Sequence, residues 1–305
     1  MYSGISGLRN FQTKLDVIGN NISNVNTHGF KKGRVIFKDL ISQTQSGASG
    51  ASMTTGGVNA KQVGLGSQLA AIDTVMGTGA LQTTGRTLDF AIEGEGFFMV
   101  GESGAFDATL TPPATEIENF LYTRAGNFYM DANGCLVNSE GKYLVGISNP
   151  IKDPVNDTTS EFENEKTAGD LPTGNYALPQ IDAIQIPTTA QSMTIAQDGT
   201  VSYVDANGNL QYAGTLLIAK FPNAEGLEKQ GSNYYKETQN SGEVYINKGT
   251  QDGIGKIVSG ALEMSNVDLS EEFTEMIVAQ RGFQANSRII TTSDEILQEL
   301  VNLKR

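Results

Sequence analysis

The chain is poor in the residues that build most enzyme sites and covalent cross-links. Its 305 residues include one Cys, one His and no Trp. The single cysteine, Cys135, excludes an internal disulfide framework and is expected to be a small, partly buried strand residue. His28 is the only histidine. The sequence therefore offers almost no means of forming a catalytic site that pairs a nucleophile with a histidine base, or a metal site with histidine ligands. We therefore expect no enzyme, no cofactor and no metal site. A hydrolase built on paired carboxylates is the competing hypothesis.

Basic residues and long apolar runs are also scarce. The net charge of −13 argues against nucleic acid and anionic membranes as partners, because both require clustered Lys and Arg. No apolar run approaches the roughly eighteen residues of a membrane helix, and the start lacks the basic and continuous apolar parts of a cleavable signal. Composition alone would place the chain in the cytosol. The 8 prolines and 35 glycines are typical of many short strands and turns.

Heptad stripes occupy both ends of the chain. At the start, apolar residues and one glycine step by three and four along a predicted helix: Met1, Gly4, Leu8, Phe11, Leu15, Ile18, Ile22 and Val25. The last forty residues carry a longer stripe: Leu269, Phe273, Met276, Ala279, Phe283, Ile289, Ile290, Ile296, Leu297, Leu300 and Leu303. Asp268 or Ser270 can cap this second helix. Residues 1–40 hold six Lys/Arg against two Asp/Glu, whereas residues 263–305 hold four against eight, so the ends carry opposite charge.

Stripes of this length need a packing partner. The pattern favours pairing of the two ends as a coiled-coil-like terminal domain and packing of the helices between subunits. The predicted subunit-packing residues are Leu8, Phe11, Leu15, Ile18, Ile22, Val25, Leu269, Phe273, Met276, Phe283, Ile290, Leu297 and Leu300. Polar residues interrupt the second stripe, weakening an isolated pair but fixing its register: Gln280, Asn286, Ser287 and Ser293. The pattern leaves open an alternative, in which both helices simply pack on their own domain.

Between the helical ends the pattern changes to short strands. Alternating residues such as Leu88, Phe90 and Ile92, separated by Gly or Asn-Gly turns, predict an antiparallel β domain. The expected fold class is therefore a mainly β core with N- and C-terminal α-helices. The predicted boundaries are a terminal helical domain at 1–30 and 264–305, an extended connector at 31–76, a β domain at 77–147 and 181–263, and a polar insertion at 148–180.

One octet, Tyr-x-Asp-Ala-Asn-Gly-x-Leu, occurs twice, at Tyr129–Leu136 and at Tyr203–Leu210. Asn-Gly at each tip predicts two similar hairpins with type I′ turns. The first copy also resembles the start of a calcium loop, but Cys135 and Lys142 stand at two positions where ligands are required. The Gly-x-Gly pairs lack the third glycine and the helix-opening context of a nucleotide site.

Four segments carry a distinctive combination of motifs. They are Ser3–Leu8 (SGISGL), Gly19–Lys31 (GNNISNVNTHGFK), Leu88–Phe98 (LDFAIEGEGFF) with Tyr122–Phe128 (YTRAGNF), and Ser265–Leu269 (SNVDL) through Ala279–Asn286 (AQRGFQAN). Together they span both ends and the sheet region. In this combination the chain resembles the bacterial flagellar rod and hook proteins, and most closely the hook proteins.

The resemblance implies a structural subunit that stacks into a helical tube and acts as a flexible joint between rod and filament. A distal rod protein is the alternative. It also implies self-polymerisation, contacts with rod, hook-cap and hook–filament junction proteins, and export through the flagellar apparatus without a cleavable signal. The expected location is the extracellular hook of the flagellum. Family chains begin a few residues before Tyr2, so we expect a short first helical turn.

Overall fold

The computed structural model describes residues 2–50, 56–103, 117–148 and 181–303, and strands dominate these residues. Helix α1 spans Tyr2–Ser23 and helix α2 spans Leu269–Leu303. The prediction of a mainly β protein with a helix at each end is confirmed. Neither helix is long and apolar enough to cross a membrane, within the described part of the chain. The predicted polar insertion lies outside the described residues, apart from Ser148.

Helix α2 begins where the sequence predicts. The Asp268 carboxylate accepts hydrogen bonds from the backbone N–H of Ser270 at 2.8 Å and of Glu271 at 3.4 Å. Glu271 and Glu272 fill the first turn, where negative charge stabilises the positive end of the helix dipole. The cap therefore fixes the start of the longer helix.

Twenty strands are present in the described residues, most of them short. They are β1 (Gly33–Asp39), β2 (Ser42–Ser46), β3 (Lys61–Gly64), β4 (Ser67–Thr74), β5 (Leu81–Thr83), β6 (Phe90–Glu93), β7 (Phe97–Ser103), β8 (Ile117–Thr123), β9 (Tyr129–Met130), β10 (Leu136–Val137), β11 (Tyr143–Ser148), β12 (Asp182–Ala183), β13 (Ser192–Ile195), β14 (Thr200–Val204), β15 (Leu210–Lys220), β16 (Glu228–Gly231), β17 (Tyr234–Lys236), β18 (Tyr245–Lys248), β19 (Lys256–Ser259) and β20 (Ala261–Glu263).

The chain divides into two compact units. The first, here called the terminal unit, comprises Met1–Val25, Lys31–Val75 and Val267–Arg305. The second, called the β unit, comprises Asn26–Phe30 and Met76–Asn266. Each unit is therefore assembled from segments that are distant in the sequence.

In the terminal unit, the segment predicted as an extended connector is paired. Strand β1 pairs antiparallel with β4, from Gly33 opposite Thr74 to Asp39 opposite Ser67, and β2 pairs with β3. The side chains of β2 and β3 are exposed, so the pairing rests on backbone hydrogen bonds and leaves no apolar alternation in the sequence. For this reason the composition of residues 42–66 predicts a connector where the structure has a hairpin.

The β unit is built on a sheet of twelve strands. Its main path runs β13-β14-β15-β11-β7-β8-β17-β16, with β9, β10, β12 and β18 paired at the sides. Successive residues of a strand point to opposite faces, and both faces are covered by apolar side chains. Along β7, Phe98 and Val100 enter one core, whereas Phe97 and Met99 enter the other. The β unit thus has two apolar cores of its own.

The repeated octets form two similar hairpins, as predicted, but neither turn is of the predicted type I′. The first joins β9 to β10, and the second joins β14 to β15. In the first, the Gly134 N–H donates to the Asp131 carbonyl and the Asp131 N–H donates to the Cys135 carbonyl, both at 2.9 Å. Gly134 and Gly208 have positive φ, whereas their preceding Asn residues do not. A type I′ turn needs positive φ at both central residues, so these loops are instead type I turns closed by a glycine bulge.

A buried ion pair joins several segments of the β unit. Arg124 Nη1 lies 3.2 Å from Glu263 Oε2, and both side chains are almost fully buried. Arg124 Nη2 donates to the Gly94 carbonyl at 2.8 Å, while the Gly79 N–H donates to Glu263 Oε1 at 2.9 Å. The Gly29 N–H donates to the Glu263 backbone carbonyl at 2.8 Å. This pair therefore holds together the chain segments that lead into and out of the β unit.

Replacing Arg124 with Met leaves Glu263 buried without its counter-charge. We expect Arg124→Met to lower the free energy of unfolding of the β unit by about 3–5 kcal/mol. Urea unfolding followed by near-ultraviolet circular dichroism measures this. Lys256→Met is the matched control, because it breaks the exposed Lys256–Glu93 pair (3.0 Å) and is expected to cost at most about 1 kcal/mol. Equal losses in the two variants would show that the buried pair has no special role.

Candidate subunit-packing surface

The two helices of the terminal unit pack against each other in antiparallel directions. Gly7 of α1 lies at Asn286 of α2, and Phe11 lies one turn earlier on α2, at Gly282. Further along α1, Lys14 Nζ forms an ion pair with Glu275 at 3.0 Å. The position on α2 thus moves back as the position on α1 advances. The two ends of the chain therefore contact each other within one chain.

Two glycines allow the helices to approach closely. A Cβ atom at Gly7 would stand 2.9 Å from Asn286 Nδ2, and one at Gly282 would stand 2.5 Å from the Phe11 ring. Each helix therefore has a glycine beneath a larger side chain of the other helix. The Asn286 side chain also donates to the Gly282 carbonyl at 3.0 Å, which holds it in the helix contact. Heptad patterning favours apolar residues and therefore missed both glycines.

At the opposite end of the helix pair lies a buried polar cluster. Asn21 Nδ2 donates to the Gly33 carbonyl at 2.9 Å and to Glu272 Oε2 at 3.2 Å, and the Gly33 N–H donates back to Asn21 Oδ1 at 2.9 Å. Asn21 is 2% exposed and Glu272 is 5% exposed. One asparagine therefore connects α1, the start of β1 and α2.

Charged side chains surround this cluster. Lys32 Nζ lies 2.8 Å from Glu271 and also attracts the Glu272 carboxylate. The carboxylates of Glu275 and Glu271 repel the Glu272 carboxylate. Burial is the main influence and raises the pKa of Glu272 above its ordinary value, with the Asn21 hydrogen bond and Lys32 acting in the opposite direction. The ionised form of Glu272 is therefore less favourable in the folded terminal unit than in the unfolded chain.

The predicted packing residues of α1 differ in their burial. Ile18 is 3% exposed. The others are half-buried: Leu8, Phe11, Leu15, Ile22 and Val25. Besides α2, helix α1 contacts the β1–β4 strand pair, since Asn10 Nδ2 donates to Ser67 Oγ at 2.8 Å. These two contacts leave part of the apolar stripe of α1 open.

The predicted packing residues of α2 are more exposed. Met276 and Ile290 are half-buried. The others are exposed: Leu269, Phe273, Phe283, Leu297 and Leu300. The pattern missed Ile277 and Val278, which are each 59% exposed and lie between the stripe positions. Large apolar side chains thus face outwards on more than one side of α2. The polar Asn286 and Ser293 lie on the half-buried side, while Gln280 is exposed.

The described residues contain no group of three or more His, Cys, Asp and Glu side chains that could hold a metal ion. Cys135 is buried, and burial raises its pKa to about 11, so the thiol stays protonated near neutral pH. The exposed apolar faces of α2 are a separate feature of the described residues that calls for a functional explanation.

Comparison with protein families supplies a match at both ends and in the β unit. A model described as flagella basal body rod protein matches residues 1–31. A model of the flagellar hook protein FlgE/F/G D1 domain matches residues 91–203. A model of the flagellar basal body rod FlgEFG protein C-terminal region matches residues 258–303. The third match includes the whole of α2.

Individual relatives match over the full chain. The flagellar basal-body rod protein FlgG of Bacillus subtilis is 52% identical over 306 residues, covering 100% of this chain and 98% of that protein. The flagellar hook protein FlgE of Borreliella burgdorferi is 32% identical over 451 residues, covering 100% of this chain and 99% of that protein. A crystal structure of Helicobacter pylori flagellar hook protein FlgE2 aligns with 60% of this chain and 100% of that one, at 11% identity and a TM-score of 0.39, a likeness too low to support an argument.

The buried carboxyl of Glu272 predicts a pH dependence. The folded terminal unit keeps a proton on Glu272 at pH values where the unfolded chain has lost it. The contribution of Glu272 to stability therefore falls as the pH rises from about 4.5 through the raised pKa. We expect Glu272→Gln to increase amide protection of α1 and α2 near pH 7.5, and to do so less near pH 5. Hydrogen exchange with mass spectrometry at both pH values measures this.

Glu299→Gln is the control for this prediction, because it removes an exposed carboxylate of the same helix far from the Asn21–Glu272 cluster. It is expected to leave protection nearly unchanged at both pH values. If Glu272→Gln raised protection equally at the two pH values, or lowered it at pH 7.5, burial of the carboxylate would not be the source of the pH dependence.

Proposed function

The chain belongs to the FlgE/F/G family of flagellar rod and hook proteins, and on this basis we propose that it is a rod subunit that polymerises through its terminal helices. The family is one of structural proteins of the flagellum. The observation that carries the proposal is the alignment with Bacillus subtilis FlgG, which is 52% identical from end to end. The exposed apolar faces of α2 supply the surface on which copies of this chain would meet.

Length separates the rod proposal from the hook alternative. The alignment with the rod protein spans 306 residues, close to the 305 of this chain. The alignment with the hook protein spans 451, so the hook relative carries long segments that have no counterpart here. The sequence motifs alone favour a hook protein, whereas the identity and the length of the relatives favour a rod protein. A hook subunit, acting as a flexible joint, is therefore our second candidate.

We propose different roles for the two units because they differ in how completely they bury their apolar side chains. The β unit buries most of its described large apolar side chains in two cores, with a few exposed, such as Leu210. The helices of the terminal unit leave large apolar side chains exposed. Covering these side chains in a contact between copies would stabilise the polymer by roughly 25 cal/mol per Å² of apolar area removed from water. We assign polymerisation to the helical domain predicted at 1–30 and 264–305, with coiled-coil-like packing of its stripes. The predicted packing residues from Leu8 to Leu300 are its contact positions.

The proposed export route and partners of the chain follow from its family. Such a subunit would be exported by the flagellar apparatus without a cleavable signal, and would contact copies of itself and the neighbouring rod or hook proteins. Electron microscopy of the purified protein under polymerising conditions tests both candidates. Straight tubes are expected for a rod subunit and curved tubes for a hook subunit. A protein that stays monomeric across salt and concentration would contradict both.

Phe283 provides a direct test of the helical surface. It is 38% exposed on α2, and Phe283→Asp would place an unpaired charge in a contact between subunits, at a cost of several kcal/mol. We expect this variant to keep the near-ultraviolet spectrum of the β unit but to form no tubes in sedimentation assays. The control is Gln284→Asp, which adds the same charge at a neighbouring exposed polar position. Normal tubes from Phe283→Asp would show that this stripe is not an assembly surface.

Hydrogen exchange tests when the helices become stable. The helix pair buries few large apolar side chains, and glycines inside α1 each cost roughly 0.8–1 kcal/mol relative to Ala. We expect amides of α1 and α2 to exchange rapidly in the monomer and slowly in the tube, while those of the β unit are protected in both. Equal protection of the helices and the β unit in the monomer would mean that the terminal unit is stable without assembly.

A further inference from the structure

The two copies of the repeated octet place the same chemically labile dipeptide in different surroundings. Asn-Gly occurs twice in the chain, at Asn133–Gly134 and at Asn207–Gly208, and each pair is preceded by Asp-Ala. Both asparagines are exposed, but Gly134 is buried whereas Gly208 is exposed. The local sequence therefore gives the two asparagines nearly the same intrinsic reactivity, and only the fold distinguishes them.

The tip of the first hairpin is held by a neighbouring segment of the chain. The Ile186 N–H donates to the Gly134 carbonyl at 2.8 Å, and Gln185 Nε2 donates to the Asn133 carbonyl at 2.9 Å. Cys135 also forms a β-bridge with Gln185. A Cβ atom added at Gly134 would stand 1.9 Å from the Ile186 carbonyl oxygen, so the two backbones are in close contact. Opening this tip requires it to separate from Gln185 and Ile186.

The tip of the second hairpin, from Ala206 to Leu210, is exposed. Its turn is closed by a hydrogen bond from the Gly208 N–H to the Asp205 carbonyl at 2.9 Å. Gln191, itself exposed, donates from Nε2 to the Ala206 carbonyl at 3.2 Å. A Cβ atom added at Gly208 would meet no atom of the described residues within 4 Å. This tip is therefore held less firmly than the first.

We propose that Asn207 is a site of spontaneous deamidation in the folded protein and that the fold protects Asn133 from the same reaction. The reaction begins when the Gly208 backbone nitrogen, having lost its proton to solvent, forms a bond to Asn207 Cγ. The Cγ–Nδ2 bond then breaks, and the side-chain nitrogen leaves as ammonia. Water opens the resulting five-membered imide at either carbonyl, which leaves aspartate or isoaspartate at position 207.

Opening of the turn controls the rate of this reaction. In the closed turn the Gly208 N–H is directed to the Asp205 carbonyl, so the turn must open before this nitrogen can reach the Asn207 side chain. Local openings in proteins span a wide range of free energies and are most frequent where few interactions are broken. The hydrogen bonds from Gln185 and Ile186 at the first tip each reduce the open population there.

The product of the reaction is less able to close the turn than the original asparagine. Asn207 Nδ2 donates to Asp205 Oδ2 at 3.2 Å. A carboxylate in place of the amide removes this donor and places two negative charges side by side. The isoaspartate form also lengthens the backbone by one carbon atom. We expect modified chains to exchange amides faster than unmodified chains at the tip between β14 and β15.

Mass spectrometry of aged protein tests the proposal. The full-length chain is incubated in mildly alkaline buffer and digested, and conversion of amide to carboxyl is followed at both asparagines. In the native chain we expect Asn207 to react at least about tenfold faster than Asn133. The same chain kept in urea is the control, because without the fold the shared Asp-Ala-Asn-Gly sequence should give nearly equal rates. Equal rates in the native chain would overturn the proposal, and so would a native Asn207 that stays intact while the unfolded chain reacts.

A variant of the first hairpin tests whether its neighbouring segment is the source of protection. Gln185→Ala removes the donor to the Asn133 carbonyl, and we expect it to raise the rate at Asn133 about threefold without changing the rate at Asn207. Gln230→Ala, at an exposed glutamine of β16, is the matched control and is expected to change neither rate. An unchanged Asn133 rate in Gln185→Ala would overturn the structural basis of the proposal.

Discussion

The terminal helices carry more apolar side chains than one chain can cover, and much of the molecule follows from this. Phe273, Ile277 and Val278 are each about half exposed or more at the start of α2, while α1 occupies only one side of that helix. In the β unit, large apolar side chains such as Phe90, Phe98 and Phe128 are fully buried. The same chain thus contains one unit with well-buried apolar cores and one whose helices keep large apolar side chains exposed.

Close contact between α1 and α2 depends on small and polar residues as much as on apolar ones. Gly7 and Gly282 let the helices approach, and Asn286 and Asn21 fix the register through hydrogen bonds. Polar groups in a helix contact contribute little net stability but penalise misaligned pairing, because a shifted register leaves them buried without partners. These hydrogen bonds consequently favour one register of the helix pair.

The sequence predicts the elements of this protein better than it predicts their contacts. Heptad spacing locates both helices, Asp268 marks the start of α2, and alternation around Phe90 predicts the β domain. These signals are local. The pairing of β2 with β3 is missed because exposed strands leave no apolar pattern, and the turn type is missed because Asn-Gly suits more than one loop. The contact of Gly7 with Asn286 joins distant residues and has no signature in spacing alone.

If the chain is the polymerising subunit proposed above, a terminal unit less stable than the β unit would suit its export and its addition to a tube. Glycines in α1 and the buried Glu272 carboxylate lower the stability of the terminal unit, whereas the Arg124–Glu263 pair and two apolar cores complete the β unit. Exposed apolar helices in free subunits would favour association before export if they were rigidly formed. A helix pair that gains its stability from neighbouring copies presents its full apolar surface only at the growing end of the polymer, where that surface is immediately covered.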